Sequence, residues 1–233
     1  MVKVSVVTAT YCERENLPVL VARLRSALAS YEHEIIVVDD SSPDGTYEVA
    51  LEHADKAIKV EGFGQTRSLL EGIRAANHEI VATIDADLEN PPELLPLMLK
   101  TFLNEGVDLL VASRVELPRV SERIASATLG KLFGVRDVFS NYRVYRRSLF
   151  TGHELTLGET FGGELLLYAW AMGYRIRELT YAPPPRRPDP RIGGRLKANL
   201  RILSASSKLL GLALKWKFLS CMRTSGRKAP PSC

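Results

Sequence analysis

The stretch Ile80-Val81-Ala82-Thr83-Ile84-Asp85-Ala86-Asp87-Leu88-Glu89-Asn90-Pro91-Pro92-Glu93 decides how this chain is read. Its apolar half, Ile80 to Ile84, has the length and composition of a buried strand and stops at Asp85. Carboxylates follow at alternating positions, and Pro91-Pro92 opens what reads as a helix. Carboxylates crowded at a strand end repel one another unless a hard cation sits between them. Such a cation also binds phosphate oxygens, so the segment points to a metal–diphosphate site. A solvated acidic turn is the alternative that these residues alone leave open.

Outward from this stretch the same alternation repeats. Apolar, β-branched runs occur at Val4–Val7, Ile35–Val38, Ala57–Val60, Ile80–Ile84 and Leu109–Val111. Helix-like stretches separate them, at Asn16–Ser30, Thr46–His53, Gln65–Asn77 and Pro92–Asn104. The pattern predicts an α/β fold with a mostly parallel sheet covered on both faces. Ligands of such sheets sit beyond the carboxyl ends of the strands. Tyr11, Glu13, Asp39, Asp40, Gly62, Gly64, Asp85, Asp87 and Arg114 all fall at those ends. After Arg114 the spacing predicts a helix over Ser121–Phe133 capped by Ser121, a strand over Val138–Arg146, a helix over Thr160–Met172 and a strand over Tyr174–Tyr181. The rigid Pro183-Pro184-Pro185 follows.

At 233 residues the chain can bury a sizeable core, and one catalytic unit is expected. Cys12, Cys221 and Cys233 form no CxxC pair, which argues against a zinc cage or disulfide framework and fits a reducing compartment. The Val2–Val7 run carries no signal-peptide pattern, and no run of about 18 apolar residues suggests a membrane span. His33, His53, His78 and His153 lack metal or catalytic spacing and read as surface residues. Neither a serine-hydrolase elbow nor a P-loop is present.

Charge is distributed unevenly. No acid follows Asp189, whereas ten Lys and Arg do. Removing those ten from 31 leaves 21 basic residues against 27 acids in residues 1–189, a net of −6. The tail therefore calls for an anionic partner and the body does not. Arg186, Arg187, Arg191, Arg195 and Lys197 surround Gly193-Gly194 in a loop suited to phosphate, or to ordinary solvation. Beyond it a helix over Leu196–Met222 sets Arg201, Lys208 and Lys215 on one face. Leu200, Leu203, Leu210, Leu214 and Phe218 form an apolar stripe beside them, with Trp216 adjacent. That stripe reads as a docking face onto the body or another subunit, or as a helix lying in a membrane interface.

Two further segments carry candidate chemistry. Val37-Val38-Asp39-Asp40-Ser41-Ser42-Pro43-Asp44-Gly45-Thr46 is a strand ending in paired acids, then a turn, with Thr46 as a candidate helix cap. A carboxylate there can accept hydrogen bonds from a nucleobase or ribose. Gly62-Phe63-Gly64-Gln65 either brings backbone amides to a phosphate or is simple turn chemistry, the latter being favoured.

Together Ala9-Thr10-Tyr11-Cys12-Glu13-Arg14-Glu15-Asn16-Leu17, Val38 to Thr46, Asp85 to Glu93 and Ser113-Arg114 resemble the dolichol-phosphate mannose synthases, which are family-2 inverting glycosyltransferases. The resemblance spans residues 2–197 in order. It implies an A-type glycosyltransferase fold with catalytic domain 1–197 (nucleotide half 1–114, acceptor half 115–197), basic amphipathic helix 198–222 and tail 223–233. It implies that Ala9, Tyr11, Glu13, Val38, Asp40, Asp85, Ala86 and Arg114 meet the nucleotide sugar. Asp85, Asp87 and Glu89 would hold Mg²⁺ or Mn²⁺, and Asp87, Arg114, Arg191 and Lys197 would carry catalysis, the last two by receiving the acceptor phosphate.

The implied reaction moves mannose from GDP-mannose to a polyprenyl phosphate such as dolichyl phosphate. A phosphate nucleophile needs no general base, whereas a hydroxyl acceptor would; Glu164 reads as a positioning carboxylate. The implied partners are the donor, the lipid acceptor and the cytoplasmic face of a membrane, with a homo-oligomer allowed and no nucleic acid. The sequence departs from the family's usual Pro at Ala9, Asn at Cys12, Gln at Glu89 and Gly at Asn141, where Asn would tolerate a left-handed turn. A UDP-glucose user or hydroxyl-acceptor transferase is an alternative within the class. A non-enzymatic protein whose basic tail binds nucleic acid or a partner is the alternative outside it, and it predicts salt-sensitive oligonucleotide binding.

Overall fold

The computed structural model describes residues 2–150, 152–183 and 194–225, with side chains of the last segment described from Asn199 to Trp216. Arg186, Arg187 and Arg191 lie outside the described residues, as do the side chains of Arg195, Lys197 and Phe218.

The first half runs β1 (Lys3–Thr10), α1 (Leu17–Ala27), β2 (Glu32–Asp39), α2 (Thr46–His53), β3 (Lys56–Lys59), α3 (Gly64–Ala75), β4 (Ile80–Thr83), α4 (Leu95–Glu105) and β5 (Leu109–Arg114). A single 3-10 turn, Pro92–Leu94, leads into α4, because Pro91 and Pro92 can open a helix but cannot donate within it. The second half adds α5 (Val120–Ala125), α6 (Lys131–Phe133), β6 (Arg143–Arg146), α7 (Gly163–Ala171), β7 (Ile176–Tyr181) and α8 (Gly194–Ser225). The strands form one seven-stranded sheet in the order β3-β2-β1-β4-β6-β5-β7. Only β6 runs against its neighbours, so the expected mostly parallel sheet is present and spans both halves of the chain.

Alternation along the strands fills both faces. Val4, Val6, Ile35 and Val37 pack with α1 and α4, while Val7, Ile36 and Val38 pack with α3. Period-two side-chain direction with apolar residues on both sides is what a doubly covered sheet requires. Each such buried Val, Leu or Ile stabilises the fold by about 1.5–3 kcal/mol. Helix α3 lies close because Gly72 faces the sheet: a Cβ there would come within 2.3 Å of a Val7 methyl.

Four expectations are corrected. The helix over Ser121–Phe133 is broken into α5, a π-turn at Ser126–Gly130 and α6; Thr128 Oγ1 donates to the Ile124 and Ala125 carbonyls, which loosens the regular ladder. Its cap is not Ser121. Glu122 accepts from the Arg119 backbone N–H at 3.2 Å, while the Ser121 hydroxyl donates to Asn199 on α8. The strand over Val138–Arg146 shrinks to Arg143–Arg146, because residues before it bond through side chains, as Ser140 Oγ does to the Ala112 carbonyl. His153 is not a surface residue: it is buried and stacked on Tyr168 at 4.1 Å.

Helix α8 carries a further correction. The side that docks presents Ile202, Ala205, Leu209 and Ala213, all buried, with Leu212 and Trp216 packed partly against the core. The expected docking stripe, Leu200, Leu203, Leu210 and Leu214, is exposed. At about 100° per residue those four fall within an arc of roughly 80° on the far side of the helix from Leu209. Among the described residues no helix is long and apolar enough to cross a membrane.

Candidate active site at the carboxyl ends of the strands

Parallel register brings the ends of β1, β2, β4, β5 and β7 to one edge of the sheet, where Thr10, Asp39, Thr83, Arg114 and Tyr181 terminate their strands. Among the described residues, the non-glycine residues with positive φ are Cys12, Ser41, Leu88 and Phe161. Cys12, Ser41 and Leu88 lie in loops that leave this edge. Left-handed backbone at non-glycine residues is uncommon and gathers where a structure is shaped for function.

Asp85 is the centre of the acid loop. Gln65 Nε2 donates to it at 2.7 Å, Asn90 Nδ2 at 3.3 Å and Asn141 Nδ2 at 3.5 Å. These amides come from α3, from the loop itself and from the second half of the chain. Burial of the carboxyl, reinforced by Asp87 and opposed by Asn141 and Arg114, pushes its pKa up to about 7. Asp87 Oδ1 accepts from the Glu89 backbone N–H at 3.0 Å, a local turn that folds the loop back on itself. The loop thus holds hard oxygen donors whose mutual repulsion a divalent cation would relieve, and the donor set fits Mg²⁺ or Mn²⁺. Among the described residues no three acidic, histidine or cysteine side chains are already drawn together as a closed cage.

The other expected residues divide into groups. Asp40 is at the same edge, but it accepts from the Phe63 and Gly64 backbone N–H groups, both at 2.9 Å. The Gly62-Phe63-Gly64 turn therefore spends two of its amides on Asp40, as simple turn chemistry. Side chains of Val38 and Ala86 are buried in the core. Tyr11 is exposed beside Ala9, and Glu13 accepts from Asn16 Nδ2 at 2.7 Å. Thr46 does not cap α2; Gly45 does so in left-handed conformation, and Asp44 Oδ1 accepts from both the Thr46 amide and hydroxyl. Asn141 does not take the left-handed conformation; its backbone carbonyl instead accepts from Thr83 Oγ1 at 2.6 Å.

Arg114 is held by Asp137 at 2.6 Å and lies 3.6 Å from Glu122, both buried. Burial lowers its pKa, but these carboxylates more than offset it and the net shift is upward. Together with Glu89 it lines a groove of about 900 Å³ whose walls include Val115 and Leu117. Arg123, Lys131 and Arg136 also line this groove. Nothing in the sequence marks these three as a group: Arg123 and Lys131 stand eight residues apart in a stretch that also carries Glu122. Glu164 is fully buried and accepts from the Thr156 amide, the Thr156 hydroxyl and the Leu157 amide at 2.7–3.0 Å. A carboxylate so engaged is a structural group.

Residues 5–158 match the pattern of "Glycosyl transferase family 2". The chain belongs to that family. Among its relatives is "Dolichol-phosphate mannosyltransferase" of Pyrococcus furiosus, 33% identical over 172 residues, which is 66% of this chain and 49% of that one. "Dodecaprenyl-phosphate galacturonate synthase" of Rhizobium johnstonii is 30% identical over 188 residues, 73% of this chain and 54% of the relative. "Undecaprenyl-phosphate 4-deoxy-4-formamido-L-arabinose transferase" of Photorhabdus laumondii is 32% identical, covering 63% of this chain and 50% of its own length. The chain thus spans about half the length of the curated relatives it matches. Glucosyl-3-phosphoglycerate synthase of Mycobacterium tuberculosis, solved with Mn²⁺, UDP and phosphoglyceric acid, superposes with a TM-score of 0.72 at 20% identity, covering 91% of this chain and 78% of that one. That likeness establishes the shared fold of A-type glycosyltransferases, as expected from the sequence.

Proposed function

We propose that this family member is an inverting glycosyltransferase that moves mannose from GDP-mannose to a polyprenyl phosphate, such as dolichyl phosphate, at the cytoplasmic face of a membrane. The observation that carries the reading is that Glu89, the last acid of the loop, lines beside Arg114 a groove with apolar walls and basic residues. A nucleoside diphosphate suits the acid loop through a cation, and an anionic lipid headgroup suits the groove. The names of the relatives support the acceptor class, since all three refer to polyprenyl phosphates or to dolichol phosphate.

Asp87 and Glu89, with Asp85 behind them, would hold Mg²⁺ or Mn²⁺, which would neutralise the diphosphate leaving group when bound. Ala9, Tyr11, Glu13, Val38, Asp40 and Ala86 frame the nucleotide, the buried ones through their backbones. Arg114 adds positive charge beside the sugar and diphosphate. Arg191 and Lys197 would meet the acceptor phosphate from the chain that follows β7. A phosphate oxygen, already ionised at neutral pH, attacks the anomeric carbon from the face opposite the diphosphate. The glycosidic C–O bond to the diphosphate breaks, and the nucleoside diphosphate departs with the electron pair. The proposal needs no base, consistent with Glu164 being fully engaged elsewhere.

Membrane attachment is assigned to α8. Its outward Leu200, Leu203, Leu210 and Leu214 offer an apolar row, with Arg201, Lys208 and Lys215 exposed on the flank. Each basic residue near an anionic surface contributes about 1 kcal/mol. Replacing Leu210 and Leu214 by Asp is expected to abolish flotation with anionic vesicles; unchanged flotation would remove α8 from this role.

The donor is tested by incubating the protein with membranes, Mg²⁺ or Mn²⁺ and a panel of radiolabelled nucleotide sugars, followed by organic extraction. Label entering the organic phase from GDP-mannose is expected. Because the relatives' names include other sugars, label from a different donor would correct the sugar, and no label from any donor would refute the function.

A further inference from the structure

Tyr181 ends β7 on the acceptor side of the molecule, opposite Arg114 in register. Its hydroxyl donates to Asn90 Oδ1 in a short, buried hydrogen bond. Asn90, itself buried, uses its other amide atom to donate to Asp85 Oδ2 at 3.3 Å. A carboxamide has one acceptor end and one donor end. A hydroxyl donor on one side and a carboxylate acceptor on the other therefore allow only one orientation of Asn90. Burial, more than any neighbouring charge, raises the Tyr181 pKa and keeps its hydroxyl protonated as the donor.

The adjacent Tyr142 provides a natural contrast. Its ring meets Tyr181 edge-on with centroids 6.3 Å apart. Its hydroxyl also reaches the acid loop, but it donates to the Pro91 carbonyl at 2.9 Å and does not bear on Asp85. Two buried tyrosines thus steady the same loop, and only one of them is linked to the carboxylate at its centre.

We infer that Tyr181 and Asn90 are positioning residues for the donor site: Tyr181 orients Asn90, Asn90 orients Asp85, and the end of the acceptor-side strand thereby sets the geometry of the cation and diphosphate loop. The inference rests on the proposed function for the identity of the ligands. It deepens that reading by tying β7, from which the basic segment Arg186–Lys197 departs, to the residues that would grip the donor. Asp85 held in one rotamer presents its carboxylate to the cation without rearrangement, which lowers the cost of binding.

The test compares Tyr181→Phe, Asn90→Ala and Tyr142→Phe with the unaltered protein. Mn²⁺ affinity is read by electron paramagnetic resonance of the free ion, alongside melting temperature and steady-state transfer. Tyr181→Phe is expected to weaken Mn²⁺ binding about fivefold to tenfold and raise the donor KM similarly, with kcat within about twofold; this converts to roughly 1–1.4 kcal/mol. Asn90→Ala should show a larger loss in the same two quantities. Tyr142→Phe should lower the melting temperature as much as Tyr181→Phe and leave Mn²⁺ affinity within twofold. Equal effects of the two tyrosine variants on Mn²⁺, or a melting change without any loss of affinity, would overturn the positioning role alone. An unaltered protein that binds neither Mn²⁺ nor nucleotide would overturn the proposed function and this inference together.

Discussion

Glu34 and Asp85 are carboxylates set into opposite edges of one parallel sheet, and their surroundings treat them in opposite ways. Glu34, near the start of β2, accepts from Ser5 Oγ at 2.5 Å, from the Asn77 amide N–H at 2.6 Å and from Asn77 Nδ2 at 2.8 Å. Burial alone would raise its pKa, but these donors, with Lys56 nearby, leave it below the usual value. Asp85 has the same number of donors, yet its pKa is driven up, because burial of the carboxyl outweighs them and Asp87 adds like charge. Burial acts in the same direction on both; hydrogen bonds with Lys56 nearby overcome it at Glu34, whereas the like charge of Asp87 adds to it at Asp85. One edge completes its electrostatics within the protein, and the other leaves negative charge that an external cation would complete. Left-handed Cys12, Ser41 and Leu88 lie on that second edge as well.

The sharpest way to break this contrast is to remove the charge that faces Asp85. Asp87→Ala should cut metal-dependent transfer by about a thousandfold or more, on the order of 4 kcal/mol of transition-state stabilisation. The fold should persist, since the loop carries repulsion that the substitution relieves. Transfer assays and circular dichroism melts would check both halves; a melt lowered by more than about 5 °C would show that the acid loop stabilises the fold as Glu34 does.

Cation binding offers the next largest effect. Mn²⁺ at a hundred times its dissociation constant should stabilise the protein by about 2.7 kcal/mol, and the shift should vanish in Asp87→Ala. Thermal melts with and without Mn²⁺ measure it. Equal shifts in the two proteins would place the ion elsewhere.

At the opposite edge, Glu34→Gln should cost about 2 kcal/mol at pH 7, because a charged acceptor for buried donors is lost. For a protein of this size that lowers the melting temperature by roughly 4–8 °C. The sign with pH follows from the depressed pKa of Glu34. Its contribution is fully present above the unfolded-state value of about 4.3 and is lost as pH falls through the lower folded-state value. The gap between variant and parent should therefore close below about pH 4. Melts at pH 7, 5 and 3.5 would show it, and a gap that stays constant would remove the ionised carboxylate from the account.

The two edges also differ in how far the sequence reveals them. Ile80–Ile84 and its sister runs announce the strands because both faces of each strand are buried, and burial leaves only apolar residues there. The acid loop is equally plain, since crowded carboxylates have few structural uses. The three amides around Asp85 are not legible: Gln65 and Asn141 arrive from 20 and 56 residues away, and nothing local marks either as its partner. The bonds that Asp40 accepts from Phe63 and Gly64 are likewise not legible, because the turn that follows β3 lies 23 and 24 residues away. Helix α8 misleads for a related reason. It carries two apolar stripes, and the choice between Leu209 with Ala213 and Leu210 with Leu214 depends on the shapes of α5 and α7, which periodicity does not encode.

The smallest expected effect probes whether the backbone strain at the carboxyl-end edge is needed. Cys12 has φ 57° and is exposed, and its N–H donates to Ser42 Oγ at 2.9 Å. A non-glycine residue in that conformation costs about 1–2 kcal/mol, and asparagine tolerates it better because its short amide bonds locally. Cys12→Asn keeps the backbone N–H and should stabilise the protein by a few tenths to about 1 kcal/mol, raising the melting temperature by about 1–3 °C. Transfer should stay within about twofold, because the hydrogen bond to Ser42, and with it the placement of Tyr11 and Glu13, is unchanged. A higher melting temperature with activity retained would show that the strain at Cys12 is incidental to the site. A higher melting temperature with the donor KM raised severalfold would show that this edge uses its strained turn to aim the residues beside it, as the opposite edge uses hydrogen bonds to hold Glu34.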